Sequence, residues 1–455
     1  MSGGNMSGDL KTKALEITES ESVLYSQRTQ KSSEHTARAA KVLPMGVPSS
    51  FQFYDPHPVV ATQAQGSWLE DVDGNHYVDF NMGYGALLAG HCHPLLKKAI
   101  IEQLELGTLF VTPCDTNAEV AELLCERFGM DMFRFTNSGT ESTHDAIRVA
   151  RGFTGRHKIV KVEGGYHGHH DDVLVSMKPS LDVAGPADHP FSVPASMGLD
   201  PHIADITTVV PYNDADALDE VLSTGEYAAF IVEPAMENIG ICLPQDGYLE
   251  RVREITRKTG TVLIFDEVKT GITSGWGGAT GHFGVQPDLI CLAKSIGGGL
   301  PLGAFGGKRE LMETITNGDV LHLGTYNGNP LVMAASRVVL RDICTKDALD
   351  VAIARNRSML SRMSEIIAKY KLPAHTVQLG AKGCITWSTT AVKNYRDYKA
   401  TDFDIAYAQW LWGINRGILL PPGLDEQWLV SVQHTDEDCD VNVDVFESFA
   451  VELTS

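Results

Sequence analysis

A lysine directly after a short apolar run, in LICLAKSIGGGLPLGAFGG, places Lys294 where a buried strand ends and a glycine-rich stretch begins. An ammonium there is costly to keep charged, and desolvation lowers its pKa, which makes the amine a nucleophile toward an aldehyde. Asp266 closes a second apolar run, TVLIFDE, and sets a carboxylate at the mouth of another strand. Such a carboxylate needs a cationic or protonated partner, and a purely structural ion pair would meet the need equally well. In FRFTNSGTESTHDAIRVAR, Ser138, Gly139 and Thr140 stand where a strand turns into a helix. Unpaired N–H groups, two hydroxyls and the helix dipole can cradle a phosphate there, although the same residue types cap helices that bind nothing. In KVEGGYHGHHDD, Tyr166 follows two glycines that let the backbone approach a ligand, so its ring can stack on a flat heterocycle or simply cap the core. His167, His169 and His170 lie close together, but no matching ligand array supports a metal site.

These four places together describe pyridoxal phosphate. The cofactor needs a lysine for its aldehyde, a carboxylate to keep its ring nitrogen protonated, a flat surface against the ring and donors for its phosphate. No GxxxxGK[ST] or GxGxxG stands at a strand–helix junction, which argues against a nucleotide site.

The elements that must position these residues are legible as rhythm. Between about 115 and 325, short apolar runs (MFRFT, KIVKV, AAFIV, TVLIFD, LICLA) alternate with amphipathic helices, the pattern of a mainly parallel sheet covered on both faces. Before it, WLEDVDGNHYVDF reads as strands around an Asp73-Gly74 turn, and HPLLKKAIIEQLELG as a helix stopped by Gly107. After it comes a helix-rich end with the strands GCITWSTT and WLVSVQ, which predicts a smaller α+β domain joined in space by the early strands. The expected fold class is therefore α/β, a three-layer α/β/α large domain with a smaller α+β domain. The expected division is a flexible N-terminal segment over 1–30, a loose tail or a short surface helix, then an N-terminal part of the small domain over 31–85, a cofactor-binding large domain over 86–335 and the rest of the small domain over 336–455.

The chain has 455 residues, with 37 Lys+Arg against 58 Asp+Glu and a net charge of -21. That charge repels nucleic acid, and no basic cluster with interleaved aromatics offsets it. No run of eighteen apolar residues supports a membrane span, and the N-terminus lacks the apolar core of a signal peptide, so a cytoplasmic location is expected. The eight cysteines form no CxxC pair and read as small buried hydrophobes.

From KVLPMGV onward the chain resembles the class III, fold-type I pyridoxal-phosphate enzymes, and within them the glutamate-1-semialdehyde 2,1-aminomutases and related aminotransferases. The resemblance rests on WLEDVDGNHYVDF, AGHCHP, FTNSGTEST, GYHGHH, IVEPAMENIG, FDEVKTG, LAKSIGGGLPLGAFGG, GTYNGNP and HTDEDCD. It implies that Lys294 binds the cofactor aldehyde, that Asp266 faces the ring nitrogen and that Tyr166 stacks on the ring. It implies a phosphate cup of Ser138, Gly139 and Thr140, completed by Thr325 from the other subunit of a homodimer with shared active sites. Glu233 and Asn238 would line the cofactor's side, and Val268 would pack on its far face.

The substrate side departs from the family pattern. The arginine that aminomutases keep in a V-R-A-F-like segment matches Gln52 in GVPSSFQFYDPHP, and a neutral amide cannot replace a guanidinium fork. An expected tryptophan is Tyr84, whereas Glu426 matches an acidic residue of the aminomutases. Phe51, Gln52, Phe53, Tyr54 and Tyr84 are then expected to shape the substrate pocket, and Lys269 or His57 could supply a substitute cation. The favoured expectation is an aminotransferase that passes an amino group from an amine or amino acid, including β- and ω-amino acids, to a keto acid such as pyruvate. The runner-up is intramolecular transfer of the aminomutase kind. A racemase or lyase would use the same lysine, and a cofactor-binding protein without turnover would have lost Lys294 or Asp266.

Overall fold

The computed structural model describes residues 3–423 and 426–455, with side chains from residue 9 onward. Its centre is a seven-stranded sheet in the order Met132–Thr136, Gly303–Gly307, Leu289–Leu292, Val262–Asp266, Tyr227–Val232, Lys158–Val162, Thr207–Val210. The five strands from Leu289–Leu292 to Thr207–Val210 pair in parallel, and Gly303–Gly307 runs antiparallel to both of its neighbours.

Two-residue alternation along these strands sorts the core into layers. Val160, Val162, Phe230, Val232, Leu263 and Phe265 face one way, onto Leu218, Leu249, Val252 and Ile255 of two covering helices. Ile159, Ala229, Ile231, Ile264, Leu289, Cys291 and Phe305 face the other way, onto Ala146, Ile147, Val149 and Ala150 of the helix Gly139–Thr154. Both faces are dry, as a sheet fed by helical crossovers must be.

Two strands carry no clear mark in the sequence. Gly303–Gly307, GAFGG, lacks β-branched residues, and its glycines stand where no side chain fits. A Cβ on Gly303 would sit 2.3 Å from the Ser138 carbonyl, and one on Gly307 would sit 2.4 Å from the Asp288 carbonyl. Thr207–Val210 is only four residues long and forms the sheet edge.

The early strands Ala61–Gln65, Trp68–Asp71 and His76–Asp79 form a second sheet, closed by Ile418–Leu419 pairing in parallel with His76–Asp79. Asp71 and His76 are connected through Gly74 at φ 85, the expected turn. A third sheet joins His375–Leu379, Lys382–Thr386 and Trp428–Leu429, and the helices Lys346–Tyr370 and Asp436–Leu453 pack with it around one apolar core. The smaller α+β layer is thus assembled from both ends of the chain.

The N-terminal stretch differs from its expectation as a flexible segment. Gly3–Arg28 is one helix, packed against Phe403–Asn415. Only a few apolar side chains hold it, with Ala14, Ile17 and Tyr25 buried, so its apolar pattern is faint. The rest of its anchoring is polar: Asn415 Nδ2 donates to Glu21 Oε2 at 2.7 Å, and Arg416 pairs with Glu21 at 2.9 Å. Among the described residues, no helix is long and apolar enough to cross a membrane.

Candidate active site

The parallel strands deliver their polar ends to one cavity of about 340 Å³. Its lining includes Ser138, Gly139, Thr140, Tyr166, His167, Glu233, Asn238, Asp266, Val268, Lys269 and Lys294. This is the edge where a parallel sheet opens a crevice outside its carboxyl ends.

Lys294 follows Leu289–Leu292 after one residue and holds φ 51, a left-handed conformation that a non-glycine residue adopts only under constraint. Burial is the main reason that its amine falls to about 8, with the Lys269 ammonium adding to the effect and the carboxylates of Glu426 and Asp266 opposing it. Asp266 is the last residue of its strand. Its Oδ1 accepts from Val268 N at 3.0 Å, and its Oδ2 lies 2.8 Å from Nδ1 of the fully buried His167. Both contacts fix the carboxylate's plane.

His167 is the functional neighbour that the sequence reading left without a role. Its backbone carbonyl accepts from Thr143 Oγ1 at 2.6 Å, and its Nε2 is buried with no partner. The first of three clustered histidines after a Gly-Gly strand end was the available signal, but its partner lies 99 residues away. The turn that presents Tyr166 and His167 is clamped from within the sheet. Lys161, buried in the strand Lys158–Val162, donates from Nζ to the carbonyls of Gly165 and Val175 at 2.7 and 2.5 Å. Burial lowers that amine to about 7.

Glu233 follows Tyr227–Val232 and receives Asn238 Nδ2 on both oxygens at 3.0 Å and Glu237 N at 3.0 Å. Burial raises its pKa, with the His167 ring opposing. The Tyr166 amide reaches Glu233 Oε1 at 3.4 Å, and burial raises the phenol. Ser138 caps the helix Gly139–Thr154 by accepting from Glu141 N at 3.2 Å. The first-turn amides of Gly139 and Thr140 have no carbonyl within their own helix to receive them.

The residues fit pyridoxal phosphate by their own geometry. A Cβ on Gly139 would lie 2.9 Å from both methyl groups of Val268, so cup and wall meet closely enough to exclude any side chain between them. Ser138, Gly139 and Thr140 would hold the phosphate, Asp266 the ring nitrogen and Lys294 the aldehyde. Thr325 lies elsewhere on this chain, lining a separate depression with Val111, Thr112, Arg134 and His322.

The expected substrate-pocket residues divide. Phe51 stands edge-on to Tyr166 at 5.7 Å, and its carbonyl accepts from the Tyr84 hydroxyl at 2.6 Å, so both stand beside the lining without being part of it. Gln52 is exposed and outside the lining, and Phe53 is half-buried beside it. Tyr54 turns away to Trp410, ring centroids 5.1 Å apart, and its hydroxyl accepts from Val59 N at 2.7 Å. Of the two candidate cations, His57 is also remote: it packs on Tyr25, and its Nε2 lies 2.9 Å from Thr29 Oγ1. Lys269 is in the cavity, with Nζ 2.5 Å from Glu426 Oε2 and 2.6 Å from the Glu237 carbonyl. Beneath it, Lys382 pairs with Glu237 at 2.8 Å, both fully buried.

The model of the aminotransferase class-III family matches residues 51–403. A glutamate-1-semialdehyde 2,1-aminomutase from Archaeoglobus fulgidus is 39% identical over 420 residues, spanning 92% of this chain and 98% of that one. Among solved structures, a glutamate-1-semialdehyde aminomutase from Pseudomonas aeruginosa superposes with a TM-score of 0.89 at 28% identity, over 97% of this chain and 99% of that one. An omega-transaminase from Sphaerobacter thermophilus superposes with a TM-score of 0.88 at 32% identity, over 93% and 98%.

Proposed function

The chain belongs to the class-III aminotransferase family, and we propose that it moves an amino group from an amine or amino acid, β- and ω-amino acids included, to a keto acid such as pyruvate. Its cofactor is pyridoxal phosphate, carried on a fold-type I scaffold with a large α/β/α domain and a smaller α+β domain. The observation that carries the substrate assignment is Gln52, neutral and exposed at the position that the resemblance matches to the aminomutases' carboxylate-gripping arginine.

When bound, the cofactor supplies an aldehyde to take the amino group and a ring that withdraws electrons from the substrate's reacting carbon. The residues of this chain do the rest. Asp266, oriented by Val268 N and His167, would hold the ring nitrogen with its negative charge. Lys294 Nζ, with its pKa near 8, both gives up and takes back a proton near neutral pH, as a base that shuttles a proton at the reacting carbon must. Tyr166 lines the cavity, and Phe51 and Tyr84 continue its aromatic contacts outward from it. The active unit is a homodimer in which Thr325 of each copy completes the other's phosphate cup. Exposed apolar residues around Thr325 (Val111, Leu321, Leu323 and Tyr326) support that arrangement.

The aminomutase reading is kept for one observation, Glu426 reaching the cavity through Lys269, together with the likeness to the Archaeoglobus enzyme. The deciding experiment mixes the holoenzyme separately with 1-phenylethylamine, a β-amino acid, an ω-amino acid and glutamate 1-semialdehyde, with no acceptor present. Under the transaminase reading, an amine or β/ω-amino acid bleaches the visible cofactor band stoichiometrically and pyruvate restores it. Reaction with the semialdehyde alone, yielding 5-aminolevulinate without acceptor, replaces this reading by the mutase one.

A further inference from the structure

A keto-acid acceptor carries a carboxylate, and so does a β- or ω-amino donor. With Gln52 neutral and outside the lining, that charge needs a cation elsewhere. Among the described residues two lysines line the cavity, Lys269 and Lys294, and Lys294 is committed to the cofactor. Lys382 is sealed beneath them, with Nζ 2.8 Å from both Glu237 Oε2 and the Lys269 carbonyl. His57 is held in another core by Tyr25 and Thr29. Lys269 is therefore the cavity cation left to meet a substrate.

We propose that Lys269 receives the substrate carboxylate in place of the missing arginine, and that Glu426 competes with the substrate for the same ammonium. The inference rests on the transaminase reading for its choice of substrates. Lys269 and Glu426 are each 6% exposed in their side chains and 2.5 Å apart, so either charge left alone would be poorly solvated. An arriving carboxylate must therefore displace Glu426 from Lys269, and the cost of leaving that carboxylate without its partner is what the substrate competes against. A donor without a carboxylate leaves the Glu426 pair intact, and the same cavity then presents no net charge from the pair. An ammonium is a point charge with no fixed plane, unlike a guanidinium fork. Lys269 therefore tolerates carboxylates at different distances from the reacting carbon, as an α-keto acid and a β-amino acid require.

Two donors isolate the effect. 3-Amino-3-phenylpropanoate and 1-phenylethylamine share the ring and the amine and differ by the carboxylate. The quantity to measure is the ratio of their apparent Kd values (acid over amine) in single-turnover half-reactions of holoenzyme. In Lys269→Met/Glu426→Gln, which removes both charges together, the ratio rises roughly 10- to 100-fold, the range of one charge-assisted hydrogen bond. In Glu426→Gln alone it falls, because the competitor has lost its charge. A ratio unmoved in both variants overturns the inference, even if the wild type transaminates both donors. If the wild type converts neither donor, it is the transaminase reading that fails. The same variants with glutamate 1-semialdehyde then decide the role of Lys269, an unchanged Kd overturning it. The visible cofactor band of each variant confirms that the fold and cofactor site persist.

Discussion

At the scale of single residues, Lys294 combines a strained backbone with an amine whose pKa is lowered to about 8. A lowered pKa in a base means more free amine at a given pH, and only the free amine attacks an aldehyde. Mixing apoenzyme with pyridoxal phosphate should therefore give a capture rate that climbs nearly tenfold per pH unit below about 8 and flattens above it. An ordinary lysine would keep climbing through pH 10. At pH 7.5 the difference amounts to roughly 200-fold in free amine. The growth of the visible band from pH 6.5 to 9.5 measures it, and a rate still rising steeply at pH 9.5 would refute the assigned environment. Lys294 and Asp266 were legible from sequence because each ends an unbroken apolar run, and strand ends are where a parallel sheet exposes chemistry. His167, Lys161 and Lys382 were not, because their meaning lies in partners far along the chain or in backbone carbonyls that have no residue-type signature.

At the scale of elements, the cofactor cup is a contact between two loops and a helix end. Gly168, at φ 97, brings the turn after Lys158–Val162 against the start of the helix Gly139–Thr154. A Cβ there would stand 2.7 Å from both Thr140 Cα and Thr140 Oγ1. The Cα cannot swing aside as a long side chain would, so Gly168→Ala must push the turn off the cup or shift the cup itself. Its positive φ adds strain of about 1 kcal/mol before any clash. The expected outcome is at least a tenfold weaker hold on pyridoxal phosphate with secondary structure retained, checked by equilibrium titration of the apoenzyme and circular dichroism. Wild-type affinity would show that the cup is not built by this approach. The alternating strands and helices of this region were readable because hydrophobic periodicity belongs to local sequence. The GAFGG strand was not, since close packing had removed the side chains that mark a strand. The sequence of residues 1–30 reads as a loose tail or a short surface helix, and the length of Gly3–Arg28 was not legible because its hold on Phe403–Asn415 is partly polar, through Glu21, Asn415 and Arg416.

At the scale of the whole molecule, exposed apolar side chains near Thr325 favour the proposed pairing of two copies. Val111, Leu321, Leu323 and Tyr326 are 75%, 65%, 82% and 61% exposed; Val111 lines the same depression as Thr325, and the other three flank Thr325 along the chain. Large apolar side chains gathered this way usually mark a contact surface. Thr325, matched by resemblance to the phosphate cup, is absent from the lining of this chain's own cavity. Both observations are met if a second copy covers this face and inserts its Thr325 toward the first copy's cup, a reciprocal contact of twofold symmetry. Leu323→Asp then buries a carboxylate twice per dimer. At about 3 kcal/mol for an unpaired buried charge, the dimer dissociation constant rises by more than a hundredfold. Sedimentation at micromolar concentration should show monomer, and cofactor retention through a desalting column should fall with it, while circular dichroism stays that of a folded chain. Thr325→Val separates the two effects: dimer persists and only the cofactor is held less firmly, because a hydroxyl donor has been lost without disturbing the apolar face. If Leu323→Asp dimerises as the wild type does, this face is not the seam, and Thr325 has no route to a neighbour's phosphate.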